Sequence, residues 1–302
     1  ATDIGIIVGT SEGALGTCCD FQRMITEKGN ASGSAFKFPN TVYNAAGGYL
    51  SICSGIKGYN VTVTNGAQSG LASMAYAMSV LRSGQENAML ATGSDENSDI
   101  MTELFGKLGV TSESVVTPFA GNDGFVLSDG SASVLIEDEK AARERGARIY
   151  CHAAGYGMAH SNVKFGTLTG SEAGLTNAVN NALADAGMTI DDIDAVFGFA
   201  NGMKAVDDVE IKGLTAVFGD KLPEKPVVEL KEVLGESRAA AATTAAAHAA
   251  LMFAGKIPSQ EAYSIAADGS VSKTNVEASK LNNVLVAAYG AGGSYTAIVL
   301  SK

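Results

Sequence analysis

Short runs of β-branched residues alternate with helical stretches along the chain, and the alternation starts again after the charged segment Glu137–Arg148. Such alternation is typical of parallel sheets that helices cover on both faces. It predicts two successive α/β halves, residues 1–145 and 146–302, and therefore an internal duplication. The length of 302 residues and the 46% apolar content suffice for a core of that size.

The sequence predicts four strands in the first half and five in the second. Strands are expected at Ile4–Val8, Asn60–Thr64, Ala88–Thr92, Ser131–Ile136, Ala147–Gly155, Ala195–Phe199, Val227–Leu230, Val284–Ala288 and Tyr295–Leu300. Helices are expected at Thr41–Ser54, Gln68–Arg82 and Ser171–Ala186, with Ser171 as an N-cap and Gly187 as a left-handed C-cap.

Charge and cysteine content restrict the classes of partner. The net charge of −11 and the pI of about 4.8 argue against nucleic acid or an anionic membrane as a partner. The cysteines lack the spacing of a metal site or a disulfide framework and are expected to be reduced thiols of a cytoplasmic protein, with Cys53 as a small apolar filler. The longest uncharged run, Ala239–Gly255, is shorter than a bilayer span and predicts a helix packed inside the protein.

Several separate segments resemble one known family, the β-ketoacyl synthases. Thr117-Pro118-Phe119 and the run Asp123–Ala132 resemble a glycine-rich block of that family. Further segments match in the same order: Asp207–Glu210, Val217–Gly219, Lys231 with Gly235, and Tyr289–Gly293. The resemblance runs from about residue 4 to the C-terminus. It implies a thiolase-like fold, in which duplicated α/β halves form a layered α-β-α-β-α sandwich.

The resemblance also identifies three positions where the family carries its catalytic residues. Its nucleophilic cysteine corresponds to Ala67, in the strand-to-helix junction Val63–Gly70, and an alanine cannot attack a thioester. Its first histidine corresponds to Asn201, which cannot act as a general acid or base. Its second corresponds to Glu236, whose charge would repel a malonyl carboxylate and a developing enolate. The resemblance therefore implies a chain without catalytic residues.

Other polar residues near these positions are expected to be structural. Ser69 lies near the start of the helix, but no histidine occupies a family base position, so we interpret Ser69 as a buried polar cap. Lys231 is expected to form a local ion pair with Glu236 or Glu232. The pair Asp95-Glu96 is expected to carry solvated loop charges or to cap a helix.

This combination resembles the chain length factor, the inactive subunit that pairs with a working ketosynthase in type II polyketide synthases. The implied function is to elongate polyketide or polyene chains bound to an acyl carrier protein and to set their length. The implied partners are an active ketosynthase, in a heterodimer, and the acyl carrier protein. No cofactor or metal is expected to bind directly, because the carrier's phosphopantetheine enters through the partner.

Chain length factors are thought to plug or open the partner's acyl tunnel with side chains at the dimer interface. In the predicted helix, Val42, Ala45 and Tyr49 share one face at i, i+3 and i+7, which makes Tyr49 the candidate plug. Ordinary helix packing explains the same spacing equally well. Gln68, one residue after the lost nucleophile, and Tyr289 are the other tunnel or interface candidates.

The family also implies how the chain dimerises and what it lacks. The strand before the nucleophile, here Asn60–Thr64, pairs with its counterpart across a two-fold axis in the family. Full-length relatives begin with a further strand that this sequence does not contain, so either the sequence is an incomplete chain or its first half is rearranged. That strand is central in the family's sheet, so its loss would leave two neighbouring strands without backbone partners. We expect the gap to be covered by something other than solvent.

Two other functions remain open. The chain could use the thiolase-fold pocket for altered chemistry, as a hydrolase or acyltransferase, or it could be a homodimeric protein that binds acyl thioesters. Turnover of an acyl thioester by the isolated chain would support the first alternative. A stable homodimer with a bound ligand would support the second.

Overall fold

A computed structural model describes residues 4–164 and 170–302. The strands of this part of the chain are β1 (Ile4–Gly9), β2 (Asn60–Val63), β3 (Ala88–Asp95), β4 (Gly130–Glu137), β5 (His152–His160), β6 (Ala195–Phe197), β7 (Val227–Val228), β8 (Ser259–Ile265), β9 (Val271–Glu277), β10 (Asn283–Gly290) and β11 (Ser294–Ser301). The helices are α1 (Leu15–Lys28), α2 (Ala45–Ser54), α3 (Ser69–Arg82), α4 (Asp99–Lys107), α5 (Glu139–Glu144), α6 (Glu172–Ala186), α7 (Lys204–Phe218), α8 (Lys231–Leu234) and α9 (Ala239–Phe253).

The strands form two sheets with a shared internal order. The four-stranded sheet runs β2-β1-β3-β4, and the seven-stranded sheet runs β5-β11-β10-β6-β7-β8-β9. In the first, β2, β1 and β3 are parallel and β4 is antiparallel to β3. In the second, β7, β6 and β10 are parallel and β11 is antiparallel to β10. This repeat confirms the predicted duplicated thiolase-like fold.

Helices α3 and α9 lie between the sheets and complete the five layers. Each of them contacts strands of both sheets, while α2 covers the outer face of the four-stranded sheet and α6 that of the seven-stranded sheet. The close crossing of α3 and α9 depends on glycine, because a Cβ at Gly70 would overlap the carbonyl oxygen of Ala239 and Oγ1 of Thr243. The alanine-rich helix α9 is buried along most of its length, as its sequence predicts.

Most predicted elements are confirmed, with two exceptions in the seven-stranded sheet. Strand β5 begins at His152, five residues after the predicted start, and extends to His160. Its centre is set by close packing, since a Cβ at Gly155 or Gly157 would overlap the backbone of α6. The hairpin β8–β9 was not predicted, because its seven-residue strands are largely polar and exposed on one face.

The expected gap in the first sheet lies elsewhere than the family pattern implies. The four strands form an unbroken ladder. Within the described ranges, the strand that lacks an implied neighbour is β4, at its outer edge. The corresponding edge of β11 is paired with β5 over eight residues. A cavity of about 790 Å³ runs beside the β4 edge, lined by Val134, Ile136 and Leu251 among others. That this edge is covered in solution stays a prediction.

Two further findings concern the surface. No helix in the described part of the chain is long and apolar enough to cross a membrane. All four cysteines are free. The expectation for Cys53 was wrong, because its side chain is exposed on α2 and fills no core.

Candidate functional site

The junction between β2 and α3 is a tight turn that holds Ala67 at the start of the helix. Gly66 has a φ of +66°, a conformation that favours glycine. The buried hydroxyl of Ser69 donates to the Gly66 carbonyl oxygen at 2.6 Å and accepts from the Asn65 amide at 2.7 Å. Ser69 therefore caps the turn, as predicted, with its hydroxyl acting both as a donor and as an acceptor.

A very small cavity is all that remains beside Ala67. Its volume is about 20 Å³, which holds about one water molecule. The walls are Gly198, Phe199, Lys231, Tyr289 and a row of α9 alanines, among other residues. An acyl chain or a thioester is larger than this space and would have to displace these side chains to enter it.

The two positions that correspond to the family's histidines are in direct contact. The Asn201 side-chain amide donates to Oε2 of Glu236 at 2.9 Å. Lys231 donates to the same oxygen at 2.7 Å, which confirms the predicted ion pair, and also to the Phe199 carbonyl at 3.0 Å. The Arg238 amide donates to Oε1 of Glu236 at 2.9 Å. This carboxylate is fully engaged and is not positioned as a base.

Asp207 connects the hydrogen-bond network around Glu236 to Phe119, in the glycine-rich block of the first half. Its carboxylate accepts from the backbone amides of Phe119 at 2.7 Å, Asn201 at 3.0 Å and Gly202 at 3.2 Å. Burial raises the pKa of the Asp207 carboxyl, and the three amide donors oppose that rise. The aspartate thus holds Asn201 in place and links the two halves behind the site.

Of the two expectations for Asp95, the solvated loop charge was wrong, whereas the helix cap is confirmed by its bond to the Ala239 amide at the start of α9. Asp95 ends the buried strand β3 and is itself buried. It accepts from the Thr10 hydroxyl at 2.7 Å and from the amides of Ser11 and Ala239 at 2.9 Å each. Its place at the carboxyl end of a buried strand was the sequence signal for this role, because parallel strands bring such ends together at one sheet edge.

Arg238 is a functional-site residue that sequence reasoning missed. It is buried, has a φ of +52° at the start of α9, and its Nε lies 2.6 Å from Oε2 of Glu12. Its Nη2 donates to the Glu96 carbonyl at 2.7 Å. Burial raises the pKa of Glu12 to about 7, although Arg238 counteracts the effect. No local pattern in the sequence predicts a buried arginine at this position.

The three tunnel candidates on the predicted helix do not share a helical face. Helix α2 begins at Ala45, and Val42 lies in the preceding turn. Tyr49 is 51% exposed and Val42 is 44% exposed, and both lie outside the cavity beside Ala67. The structure therefore places these two side chains on the surface of the chain, as candidates for contact with a partner.

Gln68 and Tyr289 both lie inside the chain. Gln68 is completely buried and its side-chain oxygen accepts from the Thr296 hydroxyl. This places Gln68 in the core and not on a surface that faces a partner. The Tyr289 ring packs 5.7 Å from Phe199 and 5.1 Å from Tyr295, measured between centroids. Tyr289 thereby forms a wall of the closed cavity.

Comparison with protein-family models accounts for both halves of this arrangement. Residues 1–142 match the β-ketoacyl synthase N-terminal domain, and residues 150–263 match the β-ketoacyl synthase C-terminal domain. The chain belongs to the β-ketoacyl synthase family. The three positions that the sequence resemblance assigns to the family's catalytic residues hold Ala67, Asn201 and Glu236.

Relatives of this ketosynthase-family chain include two bacterial enzymes named 3-oxoacyl-[acyl-carrier-protein] synthase 2. The protein from Vibrio cholerae serotype O1 is 29% identical over 228 residues, which cover 73% of this chain and 55% of the relative. The protein from Coxiella burnetii is 25% identical over 249 residues, which cover 80% of this chain and 60% of the relative. The chain thus spans little more than half the length of these relatives.

Solved structures with the same fold include two from polyketide systems. One, described as "The ishigamide ketosynthase/chain length factor", superposes with a TM-score of 0.87 at 23% identity, covering 100% of this chain and 75% of that one. Another is a type II polyketide synthase acyl carrier protein in complex with its ketosynthase. It superposes with a TM-score of 0.88 at 19% identity, covering 99% of this chain and 78% of that one. At these identities the likeness establishes the fold.

Proposed function

We propose that this ketosynthase-family chain is a non-catalytic chain length factor. It pairs with an active ketosynthase in the cytoplasm and sets the length of polyketide or polyene chains carried by an acyl carrier protein. The observation that carries the proposal is the closed cavity of about 20 Å³ beside Ala67, where the family has its nucleophile. Without a nucleophile or room for an acyl group, the chain contributes through its surface.

The hydrogen bonds around Glu236 support the same proposal. A decarboxylating relative needs donors that stabilise an enolate, and here the corresponding positions hold an amide and a carboxylate bound to each other. Lys231 is committed to that carboxylate and to a backbone carbonyl. The carrier's phosphopantetheine would therefore deliver its substrate to the partner's site.

The surface around β2 is the proposed contact with the ketosynthase. Strand β2 is at the edge of its sheet, and its neighbourhood carries large exposed apolar side chains on α2 and beside both elements. The most exposed on α2 are Tyr49 and Ile52, at 51% and 76%. Contiguous apolar surface of this kind marks a protein interface, and an edge strand offers unpaired backbone groups.

The first experiment is native mass spectrometry of this chain co-expressed with a ketosynthase encoded beside it. We expect a one-to-one heterodimer that Ile52→Glu weakens by about tenfold or more, because the charge would be buried in the apolar contact. The matched control is Val233→Glu, which alters an exposed valine on α8, next to the other sheet, and should leave binding unchanged. A chain that forms only homodimers, or an I52E variant that binds normally, would contradict the proposal.

Product length tests the tunnel assignment separately. Within the heterodimer, Tyr49→Ala should lengthen the product, because a smaller side chain removes the candidate plug. The control is Tyr76→Ala, an exposed tyrosine on α3. An unchanged product distribution would remove the role of Tyr49 but not the pairing. Thioester turnover by the isolated chain would instead indicate an enzyme of altered chemistry.

A further inference from the structure

Two glutamate side chains from different elements converge beneath the end of β6. Glu210 projects from α7, and Glu229 directly follows β7. Both side chains are buried, with exposures of 0% and 4% for the whole residues. A Cβ built on Gly198 would overlap Oε1 of both glutamates, so the two oxygens reach the same point. Glycine at position 198 is what allows this approach.

Apart from the backbone amides of Phe199 and Ala200, which donate to Glu210, the described residues offer the two carboxyl groups no hydrogen-bond donor but each other. Oε2 of Glu210 accepts from the Phe199 amide at 2.9 Å. In the described part of the chain, Oε1 of Glu210 and both oxygens of Glu229 have no hydrogen-bond donor when the groups are ionised. Two facing carboxylates without a donor are strongly unfavourable in a buried place. A single proton between them turns the repulsion into a hydrogen bond.

The surrounding charges do not cancel the repulsion between the two carboxylates, so a bound proton is needed to relieve it. Asp207 on α7 adds negative charge near both glutamates, and Lys231 on α8 supplies positive charge at Glu229. The Lys231 ammonium, however, is bound to Glu236 and to the Phe199 carbonyl. From β10, Tyr289 packs against Phe199 on the other side. Burial raises the pKa of both glutamates, and their mutual repulsion raises that of Glu229 further.

We propose that Glu210 and Glu229 form a buried proton-binding site that holds one proton between them. The bound proton removes one of the negative charges around Lys231, so that Lys231 stays on Glu236 and fixes the Asn201–Glu236 contact. When the proton leaves to solvent, Glu229 becomes a second carboxylate that competes for Lys231. The site thereby makes the rigidity of the former catalytic centre depend on pH, whatever partner the chain has.

Infrared spectroscopy of the wild-type protein tests the proposal directly. At neutral pH we expect a carbonyl stretch from a protonated carboxyl group that shifts when the protein contains isotope-labelled glutamate. The component of this band that comes from the glutamate pair should vanish in Glu229→Gln and persist in the control Glu224→Gln, which changes an exposed glutamate nearby in the sequence. Glu12, whose pKa burial raises to about 7, contributes equally to all three spectra and cancels in the differences between them. A wild-type spectrum without this band overturns the proposal, even if the E229Q variant does not fold.

The pH dependence of unfolding gives an independent readout. Because the folded-state pKa values are raised, the stability contributed by the shared proton is fully present below the ordinary glutamate pKa of 4.5 and is lost as the pH rises from there through about 7. In urea titrations, wild type and E224Q should lose stability over this range, while E229Q, whose amide donates permanently, should lose markedly less. Equal pH dependence in all three proteins would also overturn the proposal.

Discussion

The two sheets share a four-stranded pattern but differ at both ends of it. β2-β1-β3-β4 in one sheet corresponds to β7-β6-β10-β11 in the other, with the same strand directions. The seven-stranded sheet adds β5, covered by α6, next to β11, and adds the hairpin β8–β9 next to β7. The four-stranded sheet has no counterpart of these elements in the described ranges. The shared part is therefore the region that contacts α3 and α9.

The corresponding strand-to-helix junctions have diverged in opposite ways. After β2, the junction has become apolar at its functional position, Ala67, and the cavity there is nearly filled. After β7, the junction holds a buried network of Lys231, Glu236 and the nearby Asn201. The first junction thus presents an apolar side chain, and the second presents a buried ion pair. The two changes have different energetic consequences, which mutations can separate.

The largest effect is expected from removing the cation of the charged junction. Lys231→Met leaves Glu236, whose side chain is 6% exposed, as an unpaired buried carboxylate. We expect a loss of about 3–5 kcal/mol in the free energy of unfolding. Ala67→Ser, at the apolar junction, should change it by about 1 kcal/mol or less. Urea denaturation of both variants checks this contrast between the junctions.

A double variant distinguishes the ion pair from simple loss of packing. Lys231→Met combined with Glu236→Gln removes both charges, so it should recover most of the stability that Lys231→Met alone loses. If the double variant is as unstable as the sum of the two single variants, the Lys231–Glu236 pair is not the source of the effect. The junctions would then be energetically alike.

The next largest effect concerns the helix crossing that the two halves share. Gly70→Ala should destabilise the protein by about 3 kcal/mol, because the added methyl group overlaps the Ala239 carbonyl and displaces α9. The matched control is Gly106→Ala in α4, where a Cβ has no heavy atom within 4 Å. That control should be neutral or stabilising by up to about 1 kcal/mol. Equal effects in thermal unfolding would show that α3 and α9 separate easily.

The repeated core was predictable from sequence, whereas the charged interior was not. Strand β1 is rich in β-branched residues and β10 is almost entirely apolar, so local pattern was sufficient for both. Helix α6 ends at the predicted left-handed Gly187 and begins after Ser171, although the Ser171 side chain makes no capping hydrogen bond. The hairpin β8–β9 has a polar face, so its alternation of apolar and polar residues is hard to recognise in the sequence. Asp95 and Arg238 were misread or missed because their burial results from contacts with residues more than eighty positions away. The local sequence around a residue does not show which distant residues will contact it in the fold.

Hydrogen exchange sharpens the comparison at the edge strands β4 and β11. Strand β11 is paired on both sides, by β10 and β5, so all of its amides should exchange slowly. If the outer edge of β4 is covered in solution, as we expect, its amides should be protected to about the same degree. An alternating pattern, with every second β4 amide exchanging about 100-fold faster, would contradict the expected cover. Mass spectrometry after peptic digestion, or NMR, resolves the two strands.

The smallest effect on stability is expected at the contact between α3 and α6. Helix α6 has no described counterpart in the other half. Arg82 donates to the Asp185 carboxylate at 2.8 Å, and its guanidinium lies 5.2 Å from the centre of the Tyr156 ring. The Arg82 and Asp185 side chains are 46% and 33% exposed, so solvent screens the pair. Arg82→Gln should therefore cost only about 0.5–1 kcal/mol in the free energy of unfolding, and less at high salt.

The control is Arg23→Gln on α1, whose ion pair is more exposed and joins no second layer. A loss well above that of the control, and insensitive to salt, would show that this contact holds α6 against the shared core. The Arg82–Asp185 contact would then add to the packing that already holds α6 against β5, β11 and α7.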